Sequence, residues 1–459
     1  MLTHGKMMRK EIAKELSIQN KKIIVLDDDP TGVQTMHDID VVTQWDHEWI
    51  KKAFQAKENV FYILTNTRSY QPEQVEDILS EIVKNVHKVS QELNIPFEIV
   101  NRGDSTLRGH YPLEVDVLTR ELERTANKKV DGHLLIPAFF ESGRYTIDNV
   151  HYLKENNKLV PIEETEFAQD EVFGFSTSNL PRWIEEKTNQ RYLSHECMII
   201  SLKDFEKGID RIVQLLMNVN HNTPVVINAS SYKELDILSM ALNIVTKKGK
   251  FFLYRSAASF VKSYSGTKDI PYLNKEILFN EEEKLNGGIV IVGSHVKKSS
   301  EQLSYLQSQL QIKSIELDVE RLLNKHAREG EINRATTLLN QYIEANENAV
   351  LYSSRKLIKD EVKINNLLIS QSVSLAITSI VQNLRYTPKF IIAKGGITSS
   401  DIATKGLNIK KAKVLGQVAS GIPVWKMGKE AKFPNVPYIV FPGNVGERET
   451  LKELVLDLI

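Results

Sequence analysis

The sequence predicts an α/β protein of two domains, each a mainly parallel or mixed sheet flanked by helices, with a ligand cleft between them. Three observations carry that prediction. Short, wholly apolar runs rich in Val, Ile and Leu recur along the chain, as strands buried on both faces require. Longer stretches with apolar residues at helical spacing separate many of them. One polar segment with turn formers, residues 264–287, interrupts the alternation, which then restarts. A length of 459 residues also suits two domains better than one.

In order, residues 22–26, 60–65, 97–101, 132–136, 197–201, 224–228 and 251–254 read as strands of the first domain. Residues 71–93 place Val75, Ile78, Leu79, Ile82, Val83 and Val86 on one helical face, and 203–217 and 231–247 follow the same period. Beyond the polar segment, strands are expected at 288–292, 314–318, 349–353, 390–394, 412–416 and 438–442. Helices are expected at 298–311, 318–346, 360–385 and 446–458. The domains are therefore drawn as 1–270 and 280–459.

Composition excludes several classes of function. Lys plus Arg and Asp plus Glu each number 59, so no global positive surplus exists to grip nucleic acid or an anionic membrane. A single cysteine, Cys197, rules out an internal disulfide framework and multi-cysteine metal sites, and its apolar surroundings point to core rather than nucleophile. The charged N-terminus lacks a signal peptide's apolar stretch, and no run of about 18 apolar residues occurs. A soluble cytoplasmic protein is expected. Phosphate-loop, dinucleotide-fingerprint, nucleophile-elbow and H-E-x-x-H motifs are all missing, which disfavours a P-loop kinase, a Rossmann dehydrogenase and a zinc hydrolase.

In open parallel sheets the ligand lies beyond the carboxyl ends of the strands, so the residues after each strand carry the functional reading. The first strand runs into Asp27-Asp28-Asp29-Pro30-Thr31-Gly32. Three adjacent carboxylates suit a general base or a magnesium-facing site; a solvated, helix-capping turn is the alternative. After 97–101 comes Asn101-Arg102-Gly103-Asp104-Ser105-Thr106-Leu107-Arg108-Gly109-His110, where Arg108 offers a planar fork for a carboxylate or phosphate. An ordinary ion pair at a helix start would use the same Asp104 and Arg108. Thr65-Asn66-Thr67-Arg68-Ser69 and Pro137–Arg144 follow two further strands. Together these segments suggest one polar pocket, with arginines, for an oxygen-rich acid.

The second half is glycine-looped. Gly293-Ser294-His295, Lys394-Gly395-Gly396-Ile397-Thr398 and Gly443-Asn444-Val445-Gly446 each follow an apolar strand and precede a helix. Any one is an ordinary turn; three after strands of one sheet suggest a nucleotide cradle, with Lys394 neutralising phosphate charge.

Asp28-Asp29-Pro30-Thr31-Gly32 resembles the D-D-x-T-G motif of the four-carbon acid sugar kinase family, and Asp104-Ser105-Thr106-Leu107-Arg108-Gly109 matches its D-S-T-L-R-G. Gly143-Arg144, Gly395-Gly396-Ile397-Thr398, Gly416–Pro423 and Gly443-Asn444-Val445-Gly446 resemble its later motifs, in order. The resemblance implies an ATP-dependent kinase of small sugar acids such as threonate, erythronate or 3-oxo-tetronate, and in-line transfer of the γ-phosphoryl group with Mg²⁺ on the phosphate oxygens is the expected mechanism. It implies sugar-acid contacts around Asp28, Asp29, Asp104, Ser105, Arg108 and Arg144, and ATP contacts at Ser294, at Gly395 to Thr398 and at Gly443. On this reading Asp28 or Asp29 is the base and Arg108 the carboxylate clamp, with Asp27, Arg68 and Arg144 in support. The expected partners are a sugar acid and ATP, with no nucleic acid and no membrane; a homodimer through a front-domain surface is left open. A non-catalytic sugar-acid or nucleotide sensor is the main alternative, and an oxidoreductase or aldolase of the same acids is a third without a visible signature.

Overall fold

The computed structural model describes residues 2–155, 157–279, 286–293, 296–355 and 363–459. The chain divides into two units, Met1–Ile270 and Pro271–Ile459.

In the first unit the strands are β1 (Lys22–Asp27), β2 (Ile39–Val42), β3 (Val60–Leu64), β4 (Phe97–Arg102), β5 (Gly132–Ile136), β6 (Arg144–Ile147), β7 (Val150–Glu155), β8 (Lys158–Pro161), β9 (Met198–Ile200), β10 (Thr223–Ile227) and β11 (Phe252–Ser256). The main sheet runs β2-β3-β1-β4-β11-β5-β10-β9 with every pair parallel. Full burial on both faces explains the uninterrupted apolar runs of β1, β3 and β5. The helix Pro72–Leu93 starts on a proline, stops at Asn94 in the left-handed region, and buries Val75, Leu79, Ile82, Val83, Val86 and Val89. The strands β6, β7 and β8 form a separate antiparallel sheet.

The second unit contains β12 (Ile289–Val292), β13 (Lys313–Leu317), β14 (Ala349–Ser353), β15 (Ile391–Lys394), β16 (Lys411–Ala419), β17 (Ile422–Met427) and β18 (Pro437–Phe441). Its order is β13-β14-β12-β15-β18-β17-β16, parallel except for the antiparallel pairs of β17 with β18 and β16. The two sheets are the α/β architecture the sequence predicts.

Three expectations change in detail. The helix read at 203–217 is two, Leu202–Glu206 and Ile209–Met217, because Gly208 lies at φ +89° between them. The helix read at 318–346 is likewise split, into Val319–Leu323 and Arg328–Glu344, by an extended Asn324 whose side chain accepts from the His326 amide. Residues 360–362 of the helix read at 360–385 lie outside the described residues; it runs Lys363–Gln382.

Each main sheet has a point where successive strands depart in opposite directions, the place where open α/β sheets hold their ligands. In the first unit this point is between β1 and β4, and in the second between β12 and β15.

Candidate functional site

At the first of these points Asp27 pairs in register with Arg102, and the side chains meet at 3.3 Å (Oδ1–Nη1). The chain then delivers Asp28, buried, and Asp29, half-buried, to the same end of the sheet. Arg68, from the short helix after β3, draws the neighbouring loops together. Its guanidinium lies 3.4 Å from Asp28 Oδ1, 2.8 Å from Asp29 Oδ2 and 3.5 Å from Asp104 Oδ2. Asp29 Oδ1 also accepts from the Thr31 amide at 2.8 Å, so both its oxygens are engaged. Asp28 Oδ2, by contrast, is buried without a hydrogen-bond partner among the described residues.

The loop after β4 is shaped by the same charges. Asp104 Oδ2 accepts from Arg108 Nε at 2.7 Å and from the Thr106 hydroxyl. Arg108 reaches on to Asp170 Oδ2 at 3.4 Å and lies over the Phe167 ring at 5.0 Å. The fork expected to clamp a substrate is therefore already held by two acids and an aromatic face. Arg144 differs: it forms no ion pair among the described residues, its Nε is buried without a partner, and Nη1 donates to the Ser142 carbonyl. Ser105 is buried, and its carbonyl accepts from His151 Nε2 at 2.8 Å.

These environments separate the titrations of the acids. Burial raises the Asp28 carboxyl to about 6 against the opposing pull of Arg68, Arg255 and Arg102. Burial also pushes Asp27 well above the carboxylate range, with Arg102 opposing. Burial acts on Asp104 too, but Arg108 and Arg68 outweigh it and hold that carboxyl well below its usual value. Burial lowers Arg144 to about 10, which leaves it charged at neutral pH. One end of the sheet thus holds an ionised acid, acids that bind protons more readily, and a cation whose Nε is buried without a hydrogen-bond partner among the described residues.

Sequence reasoning passed over two residues that complete this ensemble, Arg255 and Glu114. Arg255 Nη2 donates to the Arg108 carbonyl at 2.9 Å, and its Nε is 4.0 Å from Glu114 Oε2. Glu114 also accepts from Thr67 and Asn101, at 2.8 Å and 3.0 Å. Gly103 is glycine because a Cβ there would sit 1.1 Å from Arg255 Nη1. Gly103→Ala is therefore expected to displace Arg255, lower stability by about 1–3 kcal/mol and loosen the loop; a urea midpoint equal to that of the parent would refute this.

In the second unit the glycine loops meet at the corresponding switch point. A Cβ on Gly293 would lie 2.3 Å from Thr398 Oγ1, and Gly395 adopts φ +114° as the chain turns from β15 into the short helix at Gly396. Ser299 donates to the Gly443 carbonyl at 3.1 Å, and Gln302 Nε2 donates to the Val445 carbonyl at 3.2 Å, which brings the third loop alongside. Ile397 is exposed in the first turn of that short helix, and Asn444 is exposed in the loop after β18. The placement of Lys394 differs from expectation. It is wholly buried, donates to the Pro442 carbonyl at 3.1 Å and lies 3.7 Å from the Phe441 ring centroid, and burial pushes it down to about 7. It joins two strand ends instead of projecting toward a phosphate. Ser294 lies outside the described residues. Cys197 is buried and its thiol is pushed up to about 12 by burial, as a core residue requires.

Residues 23–264 match the model of a sugar-binding N-terminal domain, and residues 289–451 match that of a nucleotide-binding C-terminal domain. The chain belongs to the four-carbon acid sugar kinase family. The acid–arginine ensemble falls in the family's sugar-binding domain and the glycine loops in its nucleotide-binding domain. No match was found among curated proteins. Among solved structures, Haemophilus influenzae protein HI1011 is similar at 17% identity over 95% of this chain and 100% of its own, with a TM-score of 0.63. A Salmonella typhimurium LT2 protein, provisionally described as a tRNA synthase, is similar at 16% identity over 95% and 98%, with a TM-score of 0.68. At these identities the likeness concerns the fold, which is the two-domain α/β fold of the family. No helix among the described residues is long and apolar enough to cross a membrane.

Proposed function

We propose that this protein transfers the γ-phosphoryl group of ATP to a hydroxyl of a short sugar acid of the threonate, erythronate or 3-oxo-tetronate class. Asp28 supports the reading most strongly. Its Oδ2 is the unpartnered oxygen of a buried carboxyl, set among arginines and raised to about 6, close to where a general base is most useful. The acceptor hydroxyl gives its proton to Asp28 Oδ2 as its oxygen bonds to the γ-phosphorus. The bond from that phosphorus to the β–γ bridging oxygen breaks, and ADP leaves.

Arg144 takes the substrate carboxylate, because among the described residues it is the site arginine with no acid of its own. Arg68 and Arg108 hold Asp29, Asp104 and Asp170 in place. In the nucleotide-binding domain, the bare backbone of Gly293 admits the Thr398 side chain and Gly395 turns at φ +114° into the short helix, so two glycine loops are drawn together, which suits a polyphosphate cradle. Mg²⁺ carried by the nucleotide supplies charge neutralisation on the phosphate oxygens.

The test is ADP release across the tetronates and their 3-oxo derivatives, followed by a pH profile with the best acid. Release that depends on the acid is expected. Because Asp28 must be ionised to accept a proton, kcat/KM is expected to fall as pH drops below about 6, by up to about tenfold per pH step of one. Binding of an acid without ADP release would instead make the protein a sensor.

A further inference from the structure

The three-stranded sheet of the first unit carries Arg144 at the start of β6, and a buried imidazole ties it to the loop after β4. Arg144 and Thr146 lie on the same side of β6, two residues apart, and His151 of β7 stands directly across from Thr146. The imidazole is fully buried. Its Nε2 is 2.8 Å from the Ser105 carbonyl oxygen, and its Nδ1 is 3.0 Å from the Thr146 hydroxyl. A carbonyl can only accept, so the proton is on Nε2, and Nδ1 accepts from Thr146. Backbone bonds between Thr146 and Ala229, and from the His151 amide to the Ser178 carbonyl, fix the strand pair on its other side.

Ser105 is flanked in sequence by Asp104 and, three residues on, by Arg108. Both charges act on Arg144, Asp104 raising it and Arg108 lowering it. The His151 imidazole also senses Arg144 and Asp104, and burial lowers it to about 4, so it remains neutral through the working range.

We propose that His151 is a positioning residue for sugar-acid recognition: its Nε2–H holds the Ser105 carbonyl so that Arg144 and the Asp104–Arg108 loop face one ligand. The proposal rests on the sugar-acid reading above and extends it to a residue that touches neither substrate nor reacting atoms. His151 acts on binding and leaves the chemical step to Asp28.

Three variants separate this role from general packing. Gln carries its amide nitrogen about as far from the backbone as the imidazole Nε2 and can still donate to Ser105. Asn reaches only to the Nδ1 position, and Leu supplies neither bond. With D- and L-erythronate and D- and L-threonate as probes, His151→Leu is expected to raise the KM of the accepted acid about tenfold while kcat stays within about twofold. His151→Gln is expected to restore KM, and His151→Asn is not. Amide exchange in residues 104–109 and 144–154 is expected to quicken together in the Leu variant and to return to normal in the Gln variant.

An unchanged KM in the Leu variant, or no recovery with Gln, overturns the proposal. If the unsubstituted protein binds none of the four acids, the sugar-acid reading fails first. The link itself then stands or falls on exchange: quickening in Leu reversed by Gln keeps His151 as the tie between the two segments, and equal exchange in all variants removes it.

Discussion

Asp28→Asn is expected to lower kcat for sugar-acid phosphorylation by about 10²- to 10⁴-fold while leaving both ligands bound. The same substitution is expected to raise stability at pH 8. An amide keeps an oxygen that can accept from Arg68 or Arg102 but cannot ionise. In the parent protein burial raises the Asp28 carboxyl from the usual value near 3.8 to about 6, so the folded state holds its proton more tightly than the unfolded chain does. The stabilisation from that proton is complete below about pH 4 and is lost as pH rises through about 6. The difference corresponds to about 3 kcal/mol at most. Arg68 keeps Asp29 and Asp104 in the variant, and Arg102 keeps Asp27, so neither guanidinium is left alone. The urea midpoint of the variant should therefore exceed that of the parent at pH 8 and converge on it toward pH 4. A variant that is less stable at pH 8 would mean that Asp28 serves chiefly as a counter-ion.

Arg144→Leu is expected to weaken sugar-acid binding by about 10- to 100-fold, the loss of a charge-assisted contact, with nucleotide affinity unaltered. Stability should scarcely fall, because among the described residues Arg144 forms no ion pair and its removal strips no acid of a partner. Arg108→Leu provides the contrast. It strips Asp104 and Asp170 of a guanidinium at 2.7 Å and 3.4 Å, so it should lower the urea midpoint as well as affinity. Calorimetric titration of the acid, paired with urea unfolding, separates the two arginines. Equal loss of stability in both variants would contradict the distinct roles assigned to them.

The alternating apolar runs made both sheets legible, and β5 and β14 coincide with the runs read for them. Those strands are buried on both faces, so their sequence carries the signal without neighbours. The small sheet was not legible in that way. β6 and β7 are half-exposed and mix polar with apolar residues, and the Asp148-Asn149 turn at φ +49° and +67° was their available mark. The Asp27–Asp29 run, Arg68 and the Asp104–Arg108 segment could be read because charge after an apolar strand is conspicuous.

The division of labour among the arginines could not be read. Whether a guanidinium has an acid partner depends on Asp170, 62 residues from Arg108 in sequence, and no local pattern reports it. Lys394 shows the same limit: a lysine before two glycines looks like a phosphate ligand until Phe441 and the Pro442 carbonyl close over it. Arg255 ends an apolar run as Arg102 does, yet its purpose emerges only where Gly103 gives way to it.

The most direct test of the central claim follows the γ-phosphorus itself. With MgATP and the accepted sugar acid, ³¹P NMR should show the γ-phosphate signal disappearing as a phosphate-monoester signal on the acid grows in equal amount with ADP, and Asp28→Asn should abolish both changes. Inorganic phosphate as the sole product, or an unchanged ATP spectrum with the acid bound, would contradict phosphoryl transfer to a sugar acid.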